Sequence, residues 1–495
     1  MALWLVPFVG LALWSFCRFC CRAFFLRLRL PPSPPLVEVL KFLAGYDKRE
    51  AHLTYTSWGQ RCGQLFSFAL PDRRVVVVNS EDAARALLDP HSRKTSERSS
   101  LAQGSTSVQV DDARDIQRKL INDEFNDSAV TTYRPMILRK VKQLVLNLLD
   151  SPEHYHEHGH TMASSVLMSA LYGYDIAGPD DPLVRIMEQS AAQAQAMPGK
   201  TAGSSLMLSS LPFLQRLKHW FVQILSDDEE PVKSFDAMDA PLRFVKQRME
   251  KGFYPRSLVS ESLTKVDKNG YGDQIIKEAA ASAFATATGT ITAAYRTFLL
   301  AMTLSPESQK RAMSEIDAFM NSTDKLPTIE ERESLPYVSA ILRETLRWHP
   351  TRPLGTPQVA TEDNVYGDIL VPKGSTIIPN HWAMSRDTEV YPNPEHFQPE
   401  RFLNSVGELS DANEDDSPLA FGWGERSCPG RHLAGEVLWT AIAMTLANFA
   451  VGQRSVVGFE PHWTKGPISS PLPFPCAIIP RADPDDIRQE MYSED

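Results

Sequence analysis

The sequence predicts a mainly α-helical globular protein with small β-sheets, and three observations carry that reading. Its 495 residues hold 43% hydrophobic and 23% charged side chains, a balance that allows a large buried core and excludes a disordered, collagenous or disulfide-stapled chain. The middle third runs in helical patterns with few β-branched alternations. Short strand signals stand only near Val75–Val78 and again after Pro350. No Gly/Ser-rich linker or internal repeat divides the chain, so one large unit is expected, although a quotient of roughly 150 residues per domain would suggest about three. Fifty-one Lys and Arg against 61 Asp and Glu leave a net charge of −10, which removes the basic footprint needed to grip nucleic acid.

The first element is apolar. Met1 to Cys17 carries no charged side chain, and Arg18, Arg22, Arg27 and Arg29 follow. A helix across the roughly 30 Å hydrocarbon layer needs about 20 apolar residues, and Arg18 can snorkel while Phe19 to Cys21 complete the span. Residues 1–21 are therefore expected to form a transmembrane signal anchor. Basic residues flank only its C-terminal side, which puts the body in the cytosol on a single-pass span, as in the endoplasmic reticulum. A cleaved signal peptide would need a basic leading segment and a small-residue exit site, and Cys20-Cys21-Arg22-Ala23 is a poor one. Residues 22–35 read as a basic, Pro-rich hinge, with Pro31-Pro32-Ser33-Pro34-Pro35 as an extended, stiff spacer. Six cysteines, at 17, 20, 21, 62, 428 and 476, are too few and too uneven for a secreted framework, so a reducing compartment fits. Cys17, Cys20 and Cys21 read as small apolar filler, with palmitoylation and metal binding as alternatives. Asn126-Asp127-Ser128 and Asn321-Ser322-Thr323 match the glycosylation pattern and are expected unmodified on a cytosolic body.

The body, residues 36–495, follows in order. Val75–Val78 predicts a strand, and Ser80-Glu81-Asp82 caps a helix through Ala83 to Leu88. Asp112 to about Asp150 predicts helix, and a polar insert stands at Asp227-Asp228-Glu229-Glu230-Pro231. His154, His156, His158 and His160 alternate, and in a helix only pairs three or four apart share a face, so a solvated segment is expected over a metal site. Gln274 to Leu304 predicts one helix on the order of 45 Å long, stopped by Ser305-Pro306. Only Arg296 is charged between Ala279 and Leu304, but the hydroxyls of Thr286, Thr288, Thr290 and Thr292 favour a core helix passing close to something large over a second membrane span. Val365–Val371 and Ser375–Ile378 predict strands around a Pro372-Lys373-Gly374 turn.

The chemistry concentrates in Phe421-Gly422-Trp423-Gly424-Glu425-Arg426-Ser427-Cys428-Pro429-Gly430-Arg431. Two glycines allow a tight turn, and Cys428 stands just where a helix through Leu433, Ala434 and Leu438 begins. Orphan amides and the dipole at such a terminus stabilise a thiolate. At Phe421, Gly424, Arg426, Cys428 and Gly430 the run resembles the haem-thiolate signature of the cytochrome P450 family. Glu344 and Arg347 within Leu342–Arg347, and Arg401 within Pro399-Glu400-Arg401-Phe402, resemble in order and spacing that family's structural Glu-Arg-Arg cluster. The resemblance runs from the anchor to the C-terminal strands, and Asn380–Asp387 and Gly466–Cys476 resemble fungal members in particular.

The resemblance implies the cytochrome P450 fold preceded by one N-terminal transmembrane helix, with haem b and iron held by Cys428. It implies a monooxygenase that draws electrons from a separate NADPH-cytochrome P450 reductase, since no glycine-rich dinucleotide fingerprint is present. Phe421, Gly424, Arg426, Gly430 and Arg118 correspond to haem-binding positions. Arg114 stands where the family has a tryptophan, and Gln358 where a propionate-binding His or Arg is frequent. Thr290 corresponds to the threonine that relays protons to bound oxygen, and Gly289 stands where the accompanying acid is usual. Two other readings stay open: a haem-thiolate isomerase or dehydratase acting on a peroxide without a reductase, and a non-catalytic haem-binding protein. The substrate-facing segments that the resemblance implies, Arg98–Val110, Gln193–Leu211, Thr286–Ile291, Pro353–Pro357 and Ile468–Phe474, contain only Arg98 and Lys200 as cations. They suit a neutral lipophilic small molecule, such as a terpenoid-like fungal secondary metabolite.

Overall fold

A computed structural model describes residues 29–43, 50–70, 73–88, 97–98, 109–190, 234–265, 272–410, 418–453 and 459–493. The expected anchor at 1–21, Lys200 and the polar insert at 227–231 lie outside them. Among the described residues no helix is long and apolar enough to cross a membrane. The chain forms two compact units: the chain up to Ala102 with Thr356–Met384 and Trp423–Arg426, and Gln103–Gly355 with Ser385–Gly422 and Ser427–Asp495.

The smaller unit is built on a five-stranded sheet in the order β1-β2-β7-β4-β3. Its strands are β1 (Leu65–Ala69), β2 (Arg74–Val78), β3 (Glu97–Arg98), β4 (Gln358–Val359) and β7 (Thr376–Pro379). Val75 to Val78 are all buried, as an apolar run without alternation requires of an inner strand. β2 pairs antiparallel with β1, Leu65 opposite Val78, and parallel with β7, Val75 opposite Thr376. The helix after β2 spans Glu81–Leu88. Val365–Val371 is not one strand. It is the hairpin β5 (Asn364–Tyr366) and β6 (Ile369–Val371), because Gly367 takes a left-handed φ of 56° that reverses the chain. The proline run does not stand free either: Ser67 N donates to the Pro32 carbonyl at 2.7 Å and Ser67 Oγ to that of Pro31 at 3.2 Å. After it, α1 (Leu36–Leu43) and α2 (Ala51–Cys62) enclose Phe42, Tyr55 and Trp58 with Phe66 and Phe68 of β1.

The larger unit is helical. Its helices include α3 (Gln109–Glu124), α4 (Arg134–Asp150), α5 (Tyr155–Tyr172), α6 (Asp273–Leu304), α7 (Pro336–Trp348) and α8 (Arg431–Asn448), with the hairpin β8 (Phe449–Gln453) and β9 (Cys476–Pro480). The helical pattern from Asp112 to Asp150 breaks after Glu124. There the Asn126 side chain accepts the Ala129 amide at 3.0 Å, capping a short helix at Asp127–Val130, and Pro135 helps start α4.

The long helix α6 is a core helix, as its composition implies. Tyr295 is fully buried within it and hydrogen-bonds Thr445 Oγ1 of α8 at 3.0 Å. The same ring lies against Gly159 of α5, where an added Cβ would meet Tyr295 Cδ1 at 2.7 Å. Glycine here sets the α5–α6 approach. Gly159→Ala is expected to destabilise the protein by about 1–3 kcal/mol through overpacking, read as a lowered melting temperature.

The histidine run also departs from expectation. His156, His158 and His160 are half-buried on the first turns of α5 instead of lying in a solvated segment. Arg296 of α6 donates to the His156 carbonyl at 2.7 Å, and His160 Nε2 meets Glu188 at 2.7 Å. Burial, then the Arg296 charge, pulls His156 down to about 4.

Candidate active site

Cys428 sits on a loop whose shape is fixed by its glycines. A short helix, Pro418–Phe421, leads in. Gly422 and Gly424 take φ of 83° and 58°, left-handed values that cost other residues more. The Cys428 amide donates to the Phe421 carbonyl at 2.6 Å, and the Arg431 amide to the Cys428 carbonyl at 3.3 Å. Gly430 then precedes the first turn of α8. In the smaller unit, Gly424–Arg426 forms a 3₁₀ turn. Trp423 there donates from Nε1 to His381 Nε2 at 3.3 Å and lies under the Arg85 guanidinium at 5.6 Å.

Burial pushes the Cys428 thiol up, against the Gly430 amide and the positive charges of Arg118, Arg352 and Arg431, which all pull the other way. A sulfur so placed ionises readily only when a further cation caps it, so the donor set fits the thiolate ligand of a haem iron. Arg118 of α3 donates from Nη2 to the Ser427 carbonyl, tying that helix to the cysteine loop.

Glu344, Arg347 and Arg401 come together. Arg347 forks onto Glu344 at 2.7 and 2.8 Å, and Arg401 Nε reaches the same carboxylate at 3.2 Å. The Gln398 amide adds a fourth donor at 2.8 Å, and Arg347 Nη1 donates to the Ser385 carbonyl at 2.8 Å. Glu344 and Arg347 are 0% and 1% exposed, so this is an interior cluster and not a surface ion pair.

On α6, the half-buried Thr290 turns its hydroxyl back to the Ala287 and Thr286 carbonyls at 3.1 and 3.2 Å. Gly289 beside it faces Ile468, whose Cδ1 would stand 3.0 Å from an added Cβ. A carboxylate in that place would have to displace Ile468. Gln358 is buried in β4, opposite Arg98 of β3, and belongs with Arg426 to the smaller unit. Arg114 is half-buried on α3.

Sequence reasoning passed over Arg352, which falls one residue outside the segment Pro353–Pro357. The structure brings its charge to Cys428. The available signal was an arginine before proline at the edge of an uncharged stretch. Cys476, which is buried where Cys428 is half-buried, opens β9 and has no helix start beside it.

A glycine-shaped loop that presents a half-buried cysteine at the start of a core helix, under the charge of nearby arginines, is the build of a haem-thiolate protein. The cytochrome P450 family pattern matches residues 30–467. Cytochrome P450 monooxygenase claR of Ampulloclitocybe clavipes is 31% identical over 92% of this chain and 87% of its own length. Cytochrome P450 monooxygenase 208 of Postia placenta is 31% identical over 92% of this chain and 90% of its own. Cytochrome P450 monooxygenase ple1 of Rhodocybe pseudopiperita is 29% identical over 91% and 90%. The chain belongs to the cytochrome P450 family. It is a monooxygenase of that family, whose cofactor is haem b held by a cysteine thiolate.

Proposed function

We propose that this chain holds its haem on Cys428 and oxidises a lipophilic small molecule of fungal secondary metabolism, using O₂ and electrons from NADPH-cytochrome P450 reductase. The observation that carries this is the Cys428 loop, a half-buried sulfur at the head of α8 on which the Gly430 amide and the charges of three arginines act. Haem with a thiolate ligand activates dioxygen for insertion into C–H bonds. This chain's residues do the rest. The Gly430 amide and the arginines favour the anionic form of the sulfur against the effect of burial, and Arg118 stands as a cation for a propionate. Thr290 keeps a hydroxyl proton at the turn of α6 beside Gly289.

The body is held to the endoplasmic-reticulum membrane by residues 1–21. Supporting that reading, the first described helix after the proline run exposes Leu36, Val37 and Leu40 at 71%, 63% and 55%, apolar surface suited to lie against lipid. A peroxide isomerase or dehydratase is the second reading. It is favoured by Gly289, which supplies no carboxyl, and by Ile468 packed against it. Expression with the reductase and candidate pathway intermediates decides between them. NADPH- and O₂-dependent product is expected, and hydroperoxide consumption without NADPH would favour the second.

A further inference from the structure

The backbone of Arg352 is pinned on both sides. Its neighbour Thr351 accepts the Ser469 amide at 2.8 Å, and His349 fastens to the same segment through Ser469 Oγ at 2.8 Å and a parallel stack on Trp463. Ile468, next to Ser469, is the residue that reaches Gly289 of α6. On the other side the Gly355 amide donates to the Arg352 carbonyl at 2.9 Å, closing a turn in which Pro353 fixes one φ and Gly355 takes a left-handed 53°. The side chain therefore leaves from a rigid point between the Gly289 turn of α6 and the cysteine loop.

Its guanidinium is left without a partner. Nε is shut off from solvent and finds no acceptor, and the side chain makes no hydrogen bond or ion pair among the described residues. The ionisable group whose charge would act on it is Cys428. Arg118, by contrast, is engaged on the Ser427 carbonyl. Arg352 as a whole is half-buried, and a guanidinium nitrogen shut off from water without an acceptor is costly, so an anion that reaches the fork is favoured. Its planar fork matches a carboxylate in a two-point grip.

We propose that Arg352 is a carboxylate receptor of the haem chamber, taking either a carboxylate of the bound haem or that of an acidic lipophilic substrate. This rests on Cys428 as the haem ligand. If the substrate supplies the group, the expectation of a neutral molecule gives way to an amphipathic acid.

The test uses haem-loaded wild type, Arg352→Gln and Arg352→Lys. A wild type without a thiolate-type reduced carbon monoxide spectrum would sink the Cys428 reading before Arg352 is reached. In one arm the rate of haem transfer to excess apomyoglobin is measured; in the other, the Soret band is titrated with dodecanoate and with dodecan-1-ol. Transfer about tenfold faster in Arg352→Gln, with dodecanoate affinity unchanged, assigns the carboxylate to haem. A wild-type preference for dodecanoate over the alcohol that falls about tenfold in Arg352→Gln, with haem retention unchanged, assigns it to substrate. Both shifts together assign Arg352 to both. Partial recovery in Arg352→Lys is expected wherever a shift is seen, and should Arg352→Gln not fold, the lysine variant, which keeps charge but loses the fork, carries the same comparison. No change in either arm overturns the proposal.

Discussion

Cys428→Ser leaves reductase-driven oxidation below about 1% of wild type and removes the thiolate signature of the reduced carbon monoxide complex. Serine keeps the size and the amide contact to Phe421, so the loop survives. Its hydroxyl, however, does not ionise in a site whose burial already opposes the thiolate of a more acidic cysteine. Cys476→Ser is the matched comparison: the residue is the more deeply buried of the two, at 4% exposure, but begins a strand and faces no helix terminus. It should keep spectrum and activity. Loss of the signature in Cys476→Ser, with retention in Cys428→Ser, would transfer the ligand to β9.

Glu344→Gln is expected to destabilise the protein by about 3–5 kcal/mol, a large part of a folding free energy of roughly 5–15 kcal/mol. The carboxylate collects four donors, and Arg347 would stay at 1% exposure with its charge uncompensated. In thermal melting this should read as a drop of about 5 °C, or as failure to accumulate folded protein. Glu330→Gln provides the contrast. Glu330 also accepts an arginine, Arg134 at 2.9 Å, but it is 61% exposed, and its loss should cost no more than about 1 kcal/mol. Removing both buried partners in Glu344→Met with Arg347→Met should recover part of the loss, since the penalty comes from the stranded charge. A single variant as stable as wild type would show that the cluster does not hold α7 as described.

How much was legible follows from where each signal is stored. The cysteine loop was legible because its turn glycines, its sulfur and the start of α8 are consecutive in the chain. α6 was legible because a long helix buried on most faces has to avoid charge along its whole length. Glu344 and Arg347 are one helical turn apart, so their shared face could be read directly, while Arg401 was placed only by resemblance. The hairpin at Asn364–Val371 was missed because one glycine, Gly367, reverses an otherwise strand-like run. The placement of His156 involves Arg296, on another helix far along the chain, which donates to its carbonyl. Arg352 was missed for the same reason: the segment that fastens its backbone, at Ser469, lies far along the chain, and nothing in Thr351-Arg352-Pro353 announces it.

The contact between Ser67 and the proline run bears on how the protein keeps to itself in concentrated solution. β1 is the outermost strand of its sheet, and an outermost strand is a template on which another chain can grow. Here the flank at Ser67 is taken by Pro31 and Pro32, which accept hydrogen bonds but have no amide proton to pass outward. The ladder stops at them, and a second molecule meets a surface that cannot continue the pairing.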